Sequence, residues 1–489
     1  MNEMIKKKKM KLFRWICLTA CLMFWGCAAV GPDYTPQAPA APEKWLNEPN
    51  AASASGSESM QTLIQWWTVF NDPVLTDLVE QAVQTNTDVR KARARVLEAR
   101  ARRGKSASEQ YPVLDASGSA TYSGARQPSG SEIYSGARQS SGGWRHDESY
   151  MLGFDAGWEL DLFGGVRRSI EAAQADLESN QEALNDAWVS LAGEVALNYV
   201  EARTLQSRLR SAETGLRIQQ ELYDLAVVRY RAGLASDLDV QQGRAYLEDV
   251  RSGIPSLRSD IEAAENRLAV LLGAYPGAVR EKLAEPQSIP IGPREIVLKA
   301  PAEVLRNRPD VRGAERTLAA ETARVGVAEA RLYPRFSLFG SLGLDTPNLS
   351  TSANRYYSLG PQFSWNVFDA GAIRRDIEVQ DAVRMQALIE YESVMLAALE
   401  EVENALKAFA EEQARLQALE AAADASEQSL ALARNRYSAG LIDYRDVLDI
   451  RSSLLSYQDQ TAISRGEVAS NLIRLYKALG GGCPASAPQ

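Results

Sequence analysis

Two cysteines near the amino terminus are the residues whose type and spacing most clearly imply chemistry, the acylation of a thiol. Basic residues precede an apolar stretch, Trp15 to Trp25, which is typical of an export signal and too short to span a bilayer as a helix. Cys21 ends the better lipobox, Leu-Thr-Ala-Cys, but cleavage there leaves a short apolar stretch. We predict a lipoprotein signal over residues 1–26 and a lipidated Cys27. Cleavage at Cys21 and a signal without lipid are the alternatives.

The other reactive side chains do not form a catalytic set. The one histidine, His146, lies in a Ser/Gly-rich stretch, where a lone histidine is far more often solvated than catalytic. The sequence holds no Ser/His/Asp, Cys/His or metal-spaced cluster, so we expect no enzyme, no cofactor and no metal. Removing residues 1–26 takes six basic residues and one acidic residue away and changes the net charge from −9 to −14. This acidic balance argues against a nucleic-acid partner.

An alternating stretch of sequence adjoins a very long helical pattern. From Tyr150 to Phe163, apolar residues occupy even positions and mostly small or acidic residues occupy odd ones, which predicts a strand with one apolar face. No proline occurs from Arg167 to Arg231, and apolar residues recur at steps of three and four, which predicts a helix about 95 Å long. We expect Gly233 to end this helix and Ser236 or Asp237 to begin a return helix.

This strand-to-helix plan occurs twice. Asp88-Val89-Arg90 matches Asp310-Val311-Arg312 at a separation of 222 residues, and Arg229-Tyr230 matches Arg436-Tyr437 at a separation of 207. The shorter separation reflects an expanded loop in the first half. The predicted divisions are a signal peptide over 1–26, an extended lipidated tether over 27–60, a first repeat over 61–273, a Pro-rich linker over 274–303, a second repeat over 304–480 and a flexible tail over 481–489.

Two strands and two long helices in each repeat limit the possible assembly. Four strands cannot close a barrel, open sheet edges are excluded from hydrocarbon, and membrane barrels begin at about eight strands. A dimer would supply eight strands, whose interior is filled by side chains, so a conducting tube favours a trimer with twelve. We predict a mostly α fold with a membrane β-barrel. Trp158 and Trp365 are candidates for the bilayer interface, with ordinary sheet packing as the alternative.

Five motifs occur in order within this tandem repeat, and together they are far more specific than any one alone. They are Gly31-Pro32-Asp33-Tyr34, Trp66-Trp67 with Asp72-Pro73, Arg229–Ser236, Arg308–Arg312 and Arg436–Leu441. On these residues the chain resembles the outer-membrane efflux protein family of the TolC type, in its lipoprotein branch resembling OprM. The resemblance implies a homotrimer with a 12-stranded β-barrel on a 12-helix periplasmic α-barrel, set among the outer-membrane lipids of a Gram-negative bacterium. It also implies a periplasmic adaptor and an inner-membrane transporter of the RND or a related type as partners.

The resemblance further implies roles at the turns between the long helices. In this family, rings of aspartate and tyrosine–arginine contacts close the pore. The positions that match this periplasmic gate are Tyr437, Asp449, Asp443, Asp446 and Arg451. For Asp443 and Asp446, helix capping and first-turn charge are the alternative, and Arg451 lies one residue before the family's usual arginine position. The positions that match the adaptor-docking turns are Arg229, Tyr230, Gly233, Leu234, Arg436, Gly440 and Leu441.

We therefore expect a passive outer-membrane duct that exports drugs or other small molecules from the periplasm. The duct of a type I protein secretion system is an alternative in the same class, because the substrate is selected upstream of the duct. A structural or adhesive envelope protein, with the loop at 123–149 as its binding tip, is less favoured, since a spacer needs no strand pair in each repeat.

Overall fold

A computed structural model describes residues 29–36, 41–47, 63–126, 144–294, 300–347, 350 and 352–482. The chain divides into two compact units, and each unit draws on both repeats. Unit 1 comprises Met1–Pro36, Glu98–Leu177 and Arg316–Leu388, and unit 2 comprises Gln37–Leu97, Glu178–Glu315 and Ile389–Gln489. Cys21, Cys27, most of the predicted tether and residues 483–489 of the tail lie outside the described residues.

Helices dominate the structure. In chain order they are α1 (Pro73–Thr85), α2 (Thr87–Ser108), α3 (Gly165–Arg231), α4 (Asp237–Leu271), α5 (Arg280–Leu283), α6 (Pro301–Asn307), α7 (Pro309–Ala330), α8 (Ala372–Ser438) and α9 (Tyr444–Ala478). The predicted long helices are confirmed: α3 and α8 have 67 residues each, and α4 and α9 have 35 each. Among the helices in the described ranges, none combines the length and apolar composition needed to cross a bilayer.

Unit 1 contains one antiparallel sheet, whose strand order follows the chain. Its strands are β1 (Val113–Arg126), β2 (Trp144–Leu160), β3 (Arg335–Thr346) and β4 (Asn354–Ser364), in the order β1-β2-β3-β4. The central pairing joins the two repeats, since β2 lies beside β3 with Phe154 opposite Leu342. Leu342 in turn lies opposite Tyr357 of β4, and all three side chains are exposed on one face. The predicted alternation is confirmed, and it produces an apolar face that nothing within the sheet covers.

The opposite face of the sheet is built on glycines. Tyr356 of β4 lies across Gly343 and Gly153, and a Cβ atom at Gly343 would lie only 2.5 Å from the Tyr356 hydroxyl. On the same face, a Cβ atom at Gly360 would lie 3.3 Å from the Phe339 ring. The glycines on this face therefore leave room for aromatic rings that cross the neighbouring strands.

Each repeat anchors its sheet to the preceding helix through a tryptophan. The Trp158 indole N–H donates to the carbonyl of Gln110 at 2.9 Å, and the Trp365 indole N–H donates to the carbonyl of Leu332 at 3.0 Å. These two contacts are equivalent in the repeats. Both rings remain exposed, at 38% and 53%, so the hydrogen bonds fix the two indoles without burying them.

The helix ends in unit 2 show the same repetition. The Asn86 side chain donates to the carbonyl of Leu271 at 2.8 Å, and the Arg308 guanidinium donates to the carbonyl of Ala478 at 2.6 Å. Asn86 and Arg308 are equivalent positions of the two repeats, and so are Leu271 and Ala478. In each repeat, the residue that precedes a 22-residue helix thus binds a carbonyl at the end of the return helix, where carbonyls would otherwise lack partners.

Candidate functional site

Two tight turns reverse the chain between the long helices. The first tip (residues 232–236) follows α3, and the second tip (residues 439–443) follows α8. Gly233 and Gly440 adopt left-handed φ angles of 71° and 76°. The amide of the next residue, Leu234 or Leu441, reaches back to the last helical turn at 2.8 or 2.9 Å. This is the glycine-terminated helix end that the sequence predicts.

The tips differ in how the return helix begins. The Ser236 side chain accepts from the Asp239 amide, and the Asp239 carboxylate accepts from the Ser236 amide, so Ser236 is the N-cap of α4. Asp443 occupies the equivalent position before α9, but its side chain makes no capping hydrogen bond among the described residues. Asp443 and Asp446 are both exposed. Asp443 therefore lies at the N-cap and Asp446 in the first turn of α9, as the helix-capping alternative predicts, although Asp443 makes no side-chain capping hydrogen bond among the described residues.

Arg229 and Tyr437 form the central contact of the second tip. The Arg229 guanidinium carbon lies 4.5 Å from the centre of the Tyr437 ring, and Nη1 donates to the Tyr437 and Ser438 carbonyls at 2.8 and 3.3 Å. These carbonyls end α8, where the helix dipole favours a cation. The Tyr437 hydroxyl is buried and has no hydrogen-bond partner in the described part of the chain. The ring, and not the hydroxyl, therefore joins the helices.

A compact apolar cluster supports this contact. Tyr444 at the start of α9 packs against Tyr437, with ring centres 5.4 Å apart. Its hydroxyl abuts Gly243 of α4, where a Cβ atom would lie 2.8 Å away, so a larger residue there would displace the Tyr444 ring. Burial raises the pKa of the Tyr444 hydroxyl above its ordinary value. The buried members of the cluster are Leu222, Ala226, Leu430, Ala433, Tyr437, Tyr444, Val447, Leu448 and Leu454.

Arg451 and Asp449 point to different environments, although they are two residues apart on α9. Arg451 is only 2% exposed and reaches the Gly215 carbonyl of α3 at 3.5 Å. Burial, together with the positive charge of Arg434, lowers the pKa of Arg451. Asp449 is exposed, and its carboxylate lies 3.8 Å from Arg445 one turn earlier. Arg451 is therefore part of the packing between helices, whereas Asp449 is available at the surface of this protomer.

The docking residues divide by exposure. Leu234 is 68% exposed and Leu441 is 73% exposed, so each tip presents an apolar side chain at its end. Tyr230 and Arg436 are also exposed, whereas Arg229 is half-buried by its contact with Tyr437. Within the described ranges, no three His, Cys, Asp or Glu side chains are grouped so that they could hold a metal ion. The tips therefore present exposed apolar and polar side chains that another protein could contact.

A second candidate site lies in unit 1, where a segment that we call the strap (residues 29–36) crosses α3 and α7. The buried Arg168 guanidinium donates to the Val30 carbonyl at 3.1 Å, to the Gly31 carbonyl at 3.2 Å and to the Asp33 carboxylate at 2.6 Å. Gly31 passes so close to Gly326 that a Cβ atom on Gly31 would overlap the Gly326 backbone. Arg168 and the close approach of two glycines therefore both contribute to holding the strap.

The family model for outer membrane efflux proteins matches residues 78–274 and 300–481.

The chain belongs to the outer membrane efflux protein family. Nodulation protein T of Rhizobium leguminosarum bv. trifolii is 30% identical over 484 residues, which cover 97% of this chain and 98% of the relative. The solvent efflux pump outer membrane protein SrpC of Pseudomonas putida is 30% identical over 480 residues, which cover 97% of this chain and 99% of the relative. The solved structure of the outer-membrane channel OprN matches with a TM-score of 0.80 at 35% identity, covering 93% of this chain and 99% of that one.

These relatives confirm the predicted family, the predicted fold class and the outer-membrane location. The chain is an outer-membrane efflux channel. The structure also gives a physical reason for one of its sequence motifs. In the Gly-Pro-Asp-Tyr motif, Gly31 and Asp33 make the strap contacts described above.

The arginines that organise this efflux protein were not identified as site residues from the sequence. Arg308 is buried and also binds the carboxylates of Asp310 and Glu401, each at 2.7 Å. Arg312 forms an ion pair with Glu182 of α3. Arg168 lies in the Arg-Arg pair that recurs at Arg374-Arg375, and that repetition is the one signal that could have drawn attention to it.

Proposed function

We propose that three copies of this efflux protein form the exit duct of a tripartite pump. Small molecules enter from an inner-membrane transporter of the RND or a related type, pass a periplasmic adaptor and leave across the outer membrane. The observation that carries this proposal is the open four-stranded sheet of unit 1, with one exposed apolar face.

The sheet requires partners on both sides. In the described part of the chain, β1 pairs with β2 alone and β4 pairs with β3 alone, which leaves two edges with unpaired backbone groups. Such edges cannot face hydrocarbon, because lipid offers no hydrogen bonds to peptide groups. Pairing β4 of one protomer with β1 of the next would close three sheets into twelve strands. The exposed apolar residues would then face lipid.

The strap supports lipid attachment at Cys27. The Val30 amide donates at 3.0 Å to the carbonyl of Phe163, which lies three residues after the end of β2. Ala29 passes so close to Gly164 that a Cβ atom there would lie 2.5 Å from the Ala29 side chain. Cys27 is two residues before Ala29, so acyl chains on its thiol would enter the membrane beside the sheet.

The tips support the proposed docking and gating roles. Leu234 and Leu441 are exposed apolar side chains that an adaptor would cover. Asp449 is exposed on α9, and threefold symmetry would place its three copies in one ring. We propose Asp449 as the gate carboxylate, with Asp443 and Asp446 beside it and with Tyr437 and Arg451 positioning the helices. Arg229, Tyr230, Gly233, Arg436 and Gly440 complete the proposed docking turns.

Three measurements test the proposed function. Native mass spectrometry in detergent should give three copies with diacylglycerol-modified Cys27, and the purified protein should conduct ions across a planar bilayer. A host that lacks its own outer-membrane efflux channels should accumulate less of a fluorescent drug when it expresses this chain with an adaptor and an RND transporter. The control is the same host without the adaptor. A stable folded monomer without conductance would contradict the proposal, and lipid on Cys21 would contradict the anchor alone.

A further inference from the structure

We infer that the contact between Arg229 and Tyr437 recurs between protomers, where Arg436 of one copy binds Tyr230 of the next. The inference rests on the proposed trimer and adds the residues that join its subunits at the tips. It moves Tyr230 and Arg436 from adaptor docking to the interface between copies.

The first step is that two kinds of contact recur at equivalent positions in both halves of this chain. The tryptophan anchors at Gln110 and Leu332 have donor–acceptor distances of 2.9 and 3.0 Å. The Asn86 and Arg308 contacts have distances of 2.8 and 2.6 Å to the carbonyls of equivalent residues. In each case, both partners lie in the same repeat, so the chain contains both copies of the contact.

The contact of Arg229 with Tyr437 is different because it crosses between the repeats. Its donor belongs to the first repeat and its acceptor to the second. The equivalent contact needs a donor in the second repeat and an acceptor in the first, which are Arg436 and Tyr230. In a closed ring, the second repeat of one protomer is followed by the first repeat of the next, so this equivalent contact can form only between copies.

The exposed side chains agree with this reasoning. Tyr230 is 46% exposed, whereas its equivalent Tyr437 is buried under Arg229. Arg436 is exposed, and no ion pair or side-chain hydrogen bond involves it in the described part of the chain. The single protomer therefore holds an arginine and a tyrosine of the matching pair, each uncovered.

The carbonyl groups that would accept hydrogen bonds from Arg436 are also present. Arg229 binds the carbonyls of Tyr437 and Ser438 at the end of α8, and the equivalent carbonyls are those of Tyr230 and Arg231 at the end of α3. A helix C-terminus carries partial negative charge, which attracts a guanidinium. A cation over a tyrosine ring adds a further attraction. Arg436 of a neighbour would find the same two features that Arg229 finds within the chain.

Crosslinking in the intact trimer tests the inference. In a Cys483→Ser background with Cys27 acylated, no free thiol remains in the mature chain. Tyr230→Cys combined with Arg436→Cys should then be joined by a short bismaleimide into covalent dimers and trimers on a denaturing gel. The matched control, Arg229→Cys with Tyr437→Cys, should crosslink at the monomer mass. Either single variant should give no covalent oligomer.

A thermodynamic cycle gives a second readout. Arg436→Ala and Tyr230→Ala should each lower the temperature at which the trimer dissociates, and the double variant should lower it no further than the stronger single variant. Arg231→Ala, a neighbouring exposed arginine, is the control and should have little effect.

The outcomes separate the inference from the proposed function. If native mass spectrometry gives trimers but the Tyr230–Arg436 cysteine pair crosslinks within one chain or not at all, the inference fails and the duct stands. If the wild-type protein forms no trimer, the duct itself fails. If Arg436→Ala abolishes binding of the adaptor and leaves trimer stability unchanged, these residues belong to the adaptor and the inference is overturned.

Discussion

At the scale of single residues, Tyr437 shows how a side chain can hold a tip together without using its polar atom. Its hydroxyl is buried and unpartnered within the described residues, while its ring lies beneath Arg229 at 4.5 Å. The resemblance to the family placed Tyr437 in a tyrosine–arginine contact of the gate. The structure assigns the contact within the protomer to the ring and to the guanidinium.

This difference leads to a prediction about two variants. Tyr437→Phe keeps the ring, so we expect the free energy of unfolding to change by less than about 0.5 kcal/mol. Arg229→Ala removes the cation over the ring and both carbonyl hydrogen bonds, and should cost about 1–3 kcal/mol. Hydrogen exchange of the amides at 436–446 would measure both effects, with Arg231→Ala as the control. Equal loosening in Tyr437→Phe and Arg229→Ala would show that the hydroxyl has a partner in the assembly.

At the scale of elements, the strap depends on one buried arginine. Arg168 binds two strap carbonyls and the Asp33 carboxylate, and α3 holds this arginine in place because its backbone is helical from Gly165 onward. Gly326 of α7 provides the space in which the strap lies. The strap is thus positioned by residues that are more than a hundred positions away in the sequence.

We predict that Arg168→Ala releases the strap. Loss of three hydrogen bonds from a buried charged group should cost about 1–3 kcal/mol. Limited proteolysis followed by mass spectrometry should then show new cleavage within residues 29–36. Gly326→Val should have the same effect, because its Cβ atom would lie 2.9 Å from the Val30 carbonyl.

The control for the strap is Arg324→Ala. Arg324 lies on α7 two residues before Gly326, and its side chain binds the carboxylates of Glu321 and Asp176. Its replacement should leave the protease pattern unchanged. If Arg168→Ala also leaves the pattern unchanged while Gly326→Val alters it, close packing holds the strap and the arginine does not.

At the scale of the whole molecule, the threefold symmetry of the proposed trimer would place three copies of each exposed tip carboxylate in a ring. A ring of negative charge inside a narrow pore gathers cations and disfavours anions. Asp449, Asp443 and Asp446 are all exposed on this protomer, so the single chain offers three candidate rings.

We predict that Asp449→Asn shifts the reversal potential of the reconstituted channel toward zero in a potassium chloride gradient. The neutral amide keeps the size of the side chain, so the loss of charge alone accounts for the shift. Asp443→Asn and Asp446→Asn are the matched comparisons and should produce smaller shifts. A larger shift in either comparison, with none in Asp449→Asn, would move the gate one or two turns toward the tip.

The sequence by itself determined the tandem repeat of strands and long helices, because each of these elements follows from a pattern of neighbouring residues. The alternation in β2, the absence of proline along α3, and the glycines at 233 and 440 each act over a few residues. The separations of 222 and 207 residues then revealed the second copy. The number of strands also constrained the assembly, because four strands leave two open edges and a sheet in a membrane must have every edge paired.

Only the tertiary structure decided which distant side chains meet. Arg229 and Tyr437 are 208 residues apart, and Arg168 and Asp33 are 135 apart. Arg451 turns inward while Asp449, two residues earlier, faces outward, although both have charged side chains on the same helix. Such outcomes depend on how each long helix is rotated against its neighbours. A periodic pattern shows that a helix has a buried stripe, but it does not name the residue that the stripe will meet.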